Sequence, residues 1–119
     1  MIKDLDVYKV SIALAIEVYA VTAAFPRSEA FGLTSQMRRA STSIPCNLAE
    51  GAARNNRKEL VYFVGIARGS CAELLTLVEI AEGIGYLAPA PTVRGTIDRV
   101  ARMLTQLHKS LRTKSEQAS

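Results

Sequence analysis

At 119 residues the chain is one domain long, with 49% hydrophobic residues, 22% charged residues and a formal charge of +4. So much apolar surface offsets the entropy of ordering and excludes a disordered charged tail. The longest charge-free stretch, residues 83–93, is eleven residues and holds two glycines and two prolines, against the ~18 apolar residues a bilayer span needs, so no membrane partner is expected. Met1-Ile2-Lys3-Asp4 is not a basic segment leading into a cleavable apolar one, and a cytoplasmic setting is expected. Cys46 and Cys71 are separated by 24 residues, a spacing that fits neither a disulfide framework nor a paired-thiol metal site. With His108 the only histidine, no cofactor or metal is expected.

Four helices are predicted in chain order. The first spans Val7 to Ala24 and ends before Pro26. Val10, Leu14, Val18 and Val21 form one apolar face, while Ile12, Ile16 and Tyr19 fall on others, so this helix is apolar nearly all round. The second spans Leu33 to Ala53, with Leu33, Met37, Ala40, Ile44 and Leu48 on its stripe. Pro45 inside it predicts a kink near Ser41 to Ser43; two helices broken by a loop is the alternative, and the continuous stripe argues against it. Asn56 and Glu59 have the spacing of a capping box at the start of the third helix, which runs to about Gly83. The fourth, Thr92 to Arg112, carries Val93, Ile97, Val100, Leu104, Leu107 and Leu111 in a four-three alternation like a coiled-coil seam. The expectation is an all-α, antiparallel up-down-up-down four-helix bundle kinked at Pro45, one domain over residues 1–112 with a frayed polar tail over 113–119.

A second, polar row runs along helix two. Gln36, Ser43, Asn47, Glu50 and Arg54 recur at spacings of seven, four, three and four, with Arg38 and Arg39 beside them. A solvated outer face is one reading, but such rows usually favour Lys and Glu. Short polar residues suit a hydrogen-bonded network at an interface, and that reading is preferred. Gly65 and Gly69 on helix three predict close approach by another helix, because each costs roughly 1 kcal/mol against Ala in a helix interior. Glu73 is the lone charge between Ser70 and Val78 and is expected in a buried ion pair with Arg38 or Arg39. Both cysteines are expected to be packed thiols, and His108 to flank the apolar seam. No Ser–His–Asp, Cys–His or paired-carboxylate set can be assembled, which argues against an enzyme. Residues 86–119 hold six basic and two acidic side chains. Of the basic ones, Arg94, Arg99, Arg102, Lys109 and Arg112 lie off the seam of helix four, a modest basic face that would become a substantial field if repeated around an oligomer.

Several segments stand together in order: Leu5-Asp6-Val7-Tyr8-Lys9, Phe25-Pro26, Glu29-Ala30-Phe31-Gly32-Leu33-Thr34-Ser35-Gln36-Met37-Arg38-Arg39-Ala40, Ser43-Ile44-Pro45-Cys46-Asn47-Leu48-Ala49-Glu50-Gly51, Ile66-Ala67-Arg68-Gly69-Ser70-Cys71-Ala72-Glu73-Leu74 and Gly85-Tyr86-Leu87. In these the chain resembles the bacterial four-helix-bundle family named for proteins encoded in intervening sequences of 23S ribosomal RNA genes, a group that includes accessory proteins of diversity-generating retroelements. The resemblance covers residues 5 to about 110, is most specific in helix two, and departs at Cys46, where Ser or Ala is commoner. It implies a ring-like homopentamer without established enzymatic activity, with nucleic-acid or reverse-transcriptase binding proposed for the retroelement branch. Arg38, Arg39, Ser43, Pro45, Asn47, Glu50, Gly51, Ser70 and Glu73 match the family's motif and read as structural or interface residues.

Three functions are weighed. The leading one is a homo-oligomer that presents basic surface to RNA or DNA. The second is a scaffold whose partner is another protein, such as a polymerase. An enzyme using Glu73 or Glu50 with a neighbouring arginine ranks third.

Overall fold

The computed structural model describes residues 5–89 and 91–118, the side chains of 91 and 115–118 excepted. Among them are four α-helices and no strand: α1 Asp6–Thr22, α2 Leu33–Ala52, α3 Arg57–Ile84 and α4 Pro91–Ala118. A 3-10 turn, Arg27–Glu29, lies between α1 and α2. Helix α1 packs on α2 and α4, and α3 packs on the same two. Each helix therefore runs beside two close neighbours, and all four contribute to one core. The result is an elongated four-helix bundle of 50 × 23 × 21 Å.

The core follows the predicted stripes of α2 and α4 and part of that of α1, whose Val10 and Val21 are only half-buried, and adds a row on α3 for which no stripe is predicted. Leu14 and Val18 of α1, Met37, Ile44 and Leu48 of α2, Val64, Leu74 and Val78 of α3, and Ile97, Val100 and Leu104 of α4 are all buried. Helix α2 is continuous through buried Pro45. A proline cannot donate to the Ser41 carbonyl, yet the Ile44 and Leu48 contacts on either side keep the stripe in register.

The helix ends are set locally. Asn56 caps α3 by accepting the Glu59 N–H at 3.2 Å. At the other end Gly85 takes φ +95°, the left-handed region that glycine enters without penalty. There Tyr86 N–H donates to Ala81 O at 3.0 Å and Gly85 N–H to Glu82 O at 3.1 Å, a Schellman closure. Gly51 is required for a different reason. A Cβ there would lie 2.8 Å from Phe63 Cβ, so α2 and α3 approach each other through its bare backbone.

Two expectations are corrected. The tail expected beyond Arg112 is helical to Ala118, because residues 113–118 contain neither glycine nor proline to stop α4. The charge-free count also understates α3, which by length and composition alone is apolar enough to cross a bilayer. Arg68 and Glu73 interrupt its apolar run, and in the fold it is held between α2 and α4.

Candidate functional site

The polar row of α2 separates into three parts. At its centre is a network joining α2 to α3. Asn47 Nδ2 donates to Ser43 O at 2.8 Å and to Ser43 Oγ at 2.9 Å, while the Ser43 and Ser70 hydroxyls share a hydrogen bond of 2.8 Å. These half-buried groups line an open cavity of about 640 Å³ whose other walls include Gln36, Arg39, Cys46 and Glu73. Short polar side chains allow this closeness between helices. At the α2 C-terminus Glu50 and Arg54 form an exposed ion pair at 3.6 Å, and Arg54 lies 5.3 Å over the Phe63 ring. Arg38 leaves the row entirely. Its Nε donates to Thr22 Oγ1 at 2.9 Å and its Nη2 to Tyr19 O at 3.3 Å, so its cation sits at the negative end of α1.

Glu73 is therefore not in a buried ion pair. It is exposed at the rim of the cavity and, among the described residues, pairs with neither Arg38 nor Arg39. A carboxylate in water needs no partner, and Arg38 is engaged with α1. Cys46 is likewise an exposed thiol, whereas Cys71 is buried. Burial alone pushes the Cys71 thiol up to about 11, and its Sγ points at Ile97 O at 3.6 Å, so it remains an unreactive packed group.

The basic face of α4 is partly neutralised from within. Arg94 holds Glu82 through Nε and Nη2, at 3.0 and 2.5 Å, and approaches Glu79 at 3.8 Å. The Glu82 carboxylate accordingly raises the Arg94 pKa. Arg102 pairs with Asp98 one turn earlier. Arg99, Lys109 and Arg112 are exposed. His108 flanks the seam as expected, half-buried, with Nδ1 3.3 Å from Arg68 Nη1. Burial first, then the Arg68 and Arg112 charges, lower its pKa.

The glycine pair of α3 is not met by a neighbouring helix backbone, and only the His108 side chain of α4 comes near Gly65. A Cβ on Gly65 would meet the His108 ring at 3.5 Å, and one on Gly69 would meet nothing within 4 Å. Both glycines line an open groove of about 780 Å³ between α3 and α4, with Arg68, Ala72, Gly95 and Asp98 along it. Sequence reasoning missed this groove, since periodicity places residues on faces without saying which faces are covered. It also missed the clasp at one end of the bundle. Glu29 Oε1 accepts the Leu33 N–H at 3.0 Å and Oε2 accepts the Tyr86 hydroxyl at 3.0 Å.

The surface also carries features outside the polar row and the basic face. Among the described residues no three His, Cys, Asp or Glu side chains gather where they could hold a metal. What it does offer is apolar: Leu5, just before α1, and Ile12, Ile16 and Tyr19 of α1 are 40, 38, 66 and 46% exposed, and Phe31 in the α1–α2 connection is 99% exposed.

Comparison with known proteins accords with this architecture. No curated protein matches the chain. A crystal structure at 1.70 Å of a protein of unknown function from the S23 ribosomal protein family of Bacteroides thetaiotaomicron VPI-5482 superposes with a TM-score of 0.77 at 18% identity, covering 87% of this chain and 98% of that one. At that identity the likeness establishes the shared fold. The family model of the 23S rRNA-intervening sequence proteins matches residues 3–106, and this four-helix chain belongs to that family.

Proposed function

We propose that the protein is a non-enzymatic, homo-oligomeric interaction module that assembles as a ring of five bundles and presents the basic side of α4 to RNA or DNA. The observation that carries the assembly is the apolar row of Ile12, Ile16 and Tyr19 on α1, with Leu5 just before it, left exposed on a finished bundle. Ile12, Ile16 and Tyr19 recur at helical spacing on one side of α1, and apolar side chains gathered in this way on a surface favour an interaction site. The count of five follows the family resemblance. Nucleic-acid binding is supported by the +4 formal charge and by exposed Arg99, Lys109 and Arg112, which a ring would repeat. A cytoplasmic setting suits two free thiols, Cys46 and Cys71, because reducing compartments keep thiols unpaired.

Binding to structured RNA, measured across a salt series, tests the ligand. Phosphate contacts predict an affinity that falls steeply with salt, by a log–log slope of roughly −0.7 to −0.9 per contact. No detectable binding at low salt contradicts it.

A second reading is a protein-binding scaffold, such as an accessory subunit of a reverse transcriptase, without direct nucleic-acid contact. The pairing of Arg94 with Glu82 and of Arg102 with Asp98 favours it by thinning the cationic face. A complex with a reverse transcriptase that survives nuclease treatment supports this reading, and dissociation on treatment contradicts it.

A further inference from the structure

We infer that Arg68 of α3 and Arg112 of α4, set about the His108 ring, form a binding site for one phosphate group. The inference rests on the nucleic-acid half of the proposed function for the source of that phosphate, and it names the site. Nearer the start of α4 the cations are neutralised from within, Arg94 by Glu82 and Arg102 by Asp98. Around His108 the balance differs. Arg68 Nη1 lies 3.3 Å from His108 Nδ1. A guanidinium only donates, so Nδ1 accepts, and the neutral ring carries its proton on Nε2. Arg112 stands one turn further along α4, exposed, and its charge reaches the same ring. A Cβ on Gly65 would lie 3.5 Å from Nε2, and the glycine leaves that side of the ring uncovered.

Among the described side chains, the neighbouring carboxylates face elsewhere. Glu73 lines the cavity toward α2. Glu59 lies nine residues, two and a half turns, before Arg68 and so on the opposite side of α3. Asp98 lines the α3–α4 groove, but it stands ten residues before His108, about 15 Å along the helix, and holds Arg102. Asp6 of α1 shares a cavity with Arg102 and Leu107 on another side of α4. Lys109, next to the ring in the chain, is exposed and adds a further cation. Cations brought together from two helices repel one another. A phosphate group between the two guanidiniums relieves that repulsion, and their planar donors match its oxygens. The site is coupled to protons. After burial, Arg68 and Arg112 hold the His108 pKa below its ordinary value. A bound phosphate offsets both charges, so the ring takes up a proton more readily, Nδ1 turns from acceptor to donor, and binding tightens as pH falls.

His108 is the only histidine, so its imidazole resonance reports on the site directly. The full chain, carrying 13C-labelled histidine, is titrated from about pH 5 to 8 in sodium chloride, in sodium sulfate of equal ionic strength, and with a short single-stranded RNA. Sulfate is a tetrahedral anion that does not itself titrate in this range. Sulfate and RNA are each predicted to raise the His108 midpoint over chloride by about half a pH unit, equivalent to about threefold tighter binding at the acid end. Arg68→Gln is predicted to abolish the rise and to lower the slope of RNA affinity against salt by about one. Arg27→Gln, in the α1–α2 connection at the other end of the bundle, should leave both unchanged. A midpoint that neither sulfate nor RNA moves, or an equal rise in Arg68→Gln, overturns the site; if RNA binds all the same, the nucleic-acid reading stands without it. A rise with RNA alone supports the site with a phosphodiester strand as its ligand. A rise with sulfate and no RNA binding at low salt supports the site with a free anion as its ligand and contradicts that reading.

Discussion

Glu29 ties three parts of the chain together with one carboxylate, at the start of α2, the α3–α4 connection and its own 3-10 turn. Single side chains with such local roles decide much of this fold, and two glycines show how different the roles can be. At Gly51 a methyl group would press into Phe63 Cβ. Gly51→Ala should therefore cost about 1–3 kcal/mol in a urea titration. At Gly69 the space is open, so Gly69→Ala should lose no protomer stability in the same titration. His108 sets a pH dependence. Its pKa is lowered in the folded protein by burial and by Arg68 and Arg112, so the unfolded chain binds its proton more readily. The stability from neutral His108 is complete above about pH 6.5, the unfolded value, and is lost as pH falls below it through the lower folded one. Replacing His108 by Gln should narrow the fall in melting temperature between pH 7.5 and 5.5, and an unchanged fall would remove His108 from the account.

At the level of the element, the helices were legible where their apolar rows were. The seam of α4, with Val93, Ile97, Val100 and Leu104 buried, and the stripe of α2 lie where their spacing places them. What the spacing could not supply is which of two apolar faces meets the bundle. Ile16 is as hydrophobic as Ile44, yet one is exposed and the other wholly buried. Charge environment is equally hidden: Glu73 sits among apolar neighbours in sequence, but the helix turns it to the rim of an open cavity. Cys46, beside Pro45, faces solvent while Cys71 does not. The two faces predict opposite mutational outcomes. Leu104→Ala, in the closed core, should destabilise the protomer by about 2–5 kcal/mol in thermal or urea unfolding. Ile16→Lys should leave protomer unfolding within about 0.5 kcal/mol of the parent and shift the sedimentation profile toward monomer.

For the whole molecule, the high apolar content acquires a location. The buried core uses one face of each helix, and the surplus stands on α1 and on the outer side of α3, where Tyr62, Ile80 and Ile84 are exposed. The positive charge is likewise redistributed, since internal pairing consumes Arg94 and Arg102 and leaves a smaller cationic surface to be multiplied by assembly. Subunit association therefore underlies both parts of the proposed function: it covers the apolar ridge and concentrates the remaining charge. Sedimentation equilibrium of the native protein at micromolar concentration tests that claim most directly. The account predicts a single species of five times the 12.9 kDa protomer mass, and a species of 12.9 kDa would contradict it.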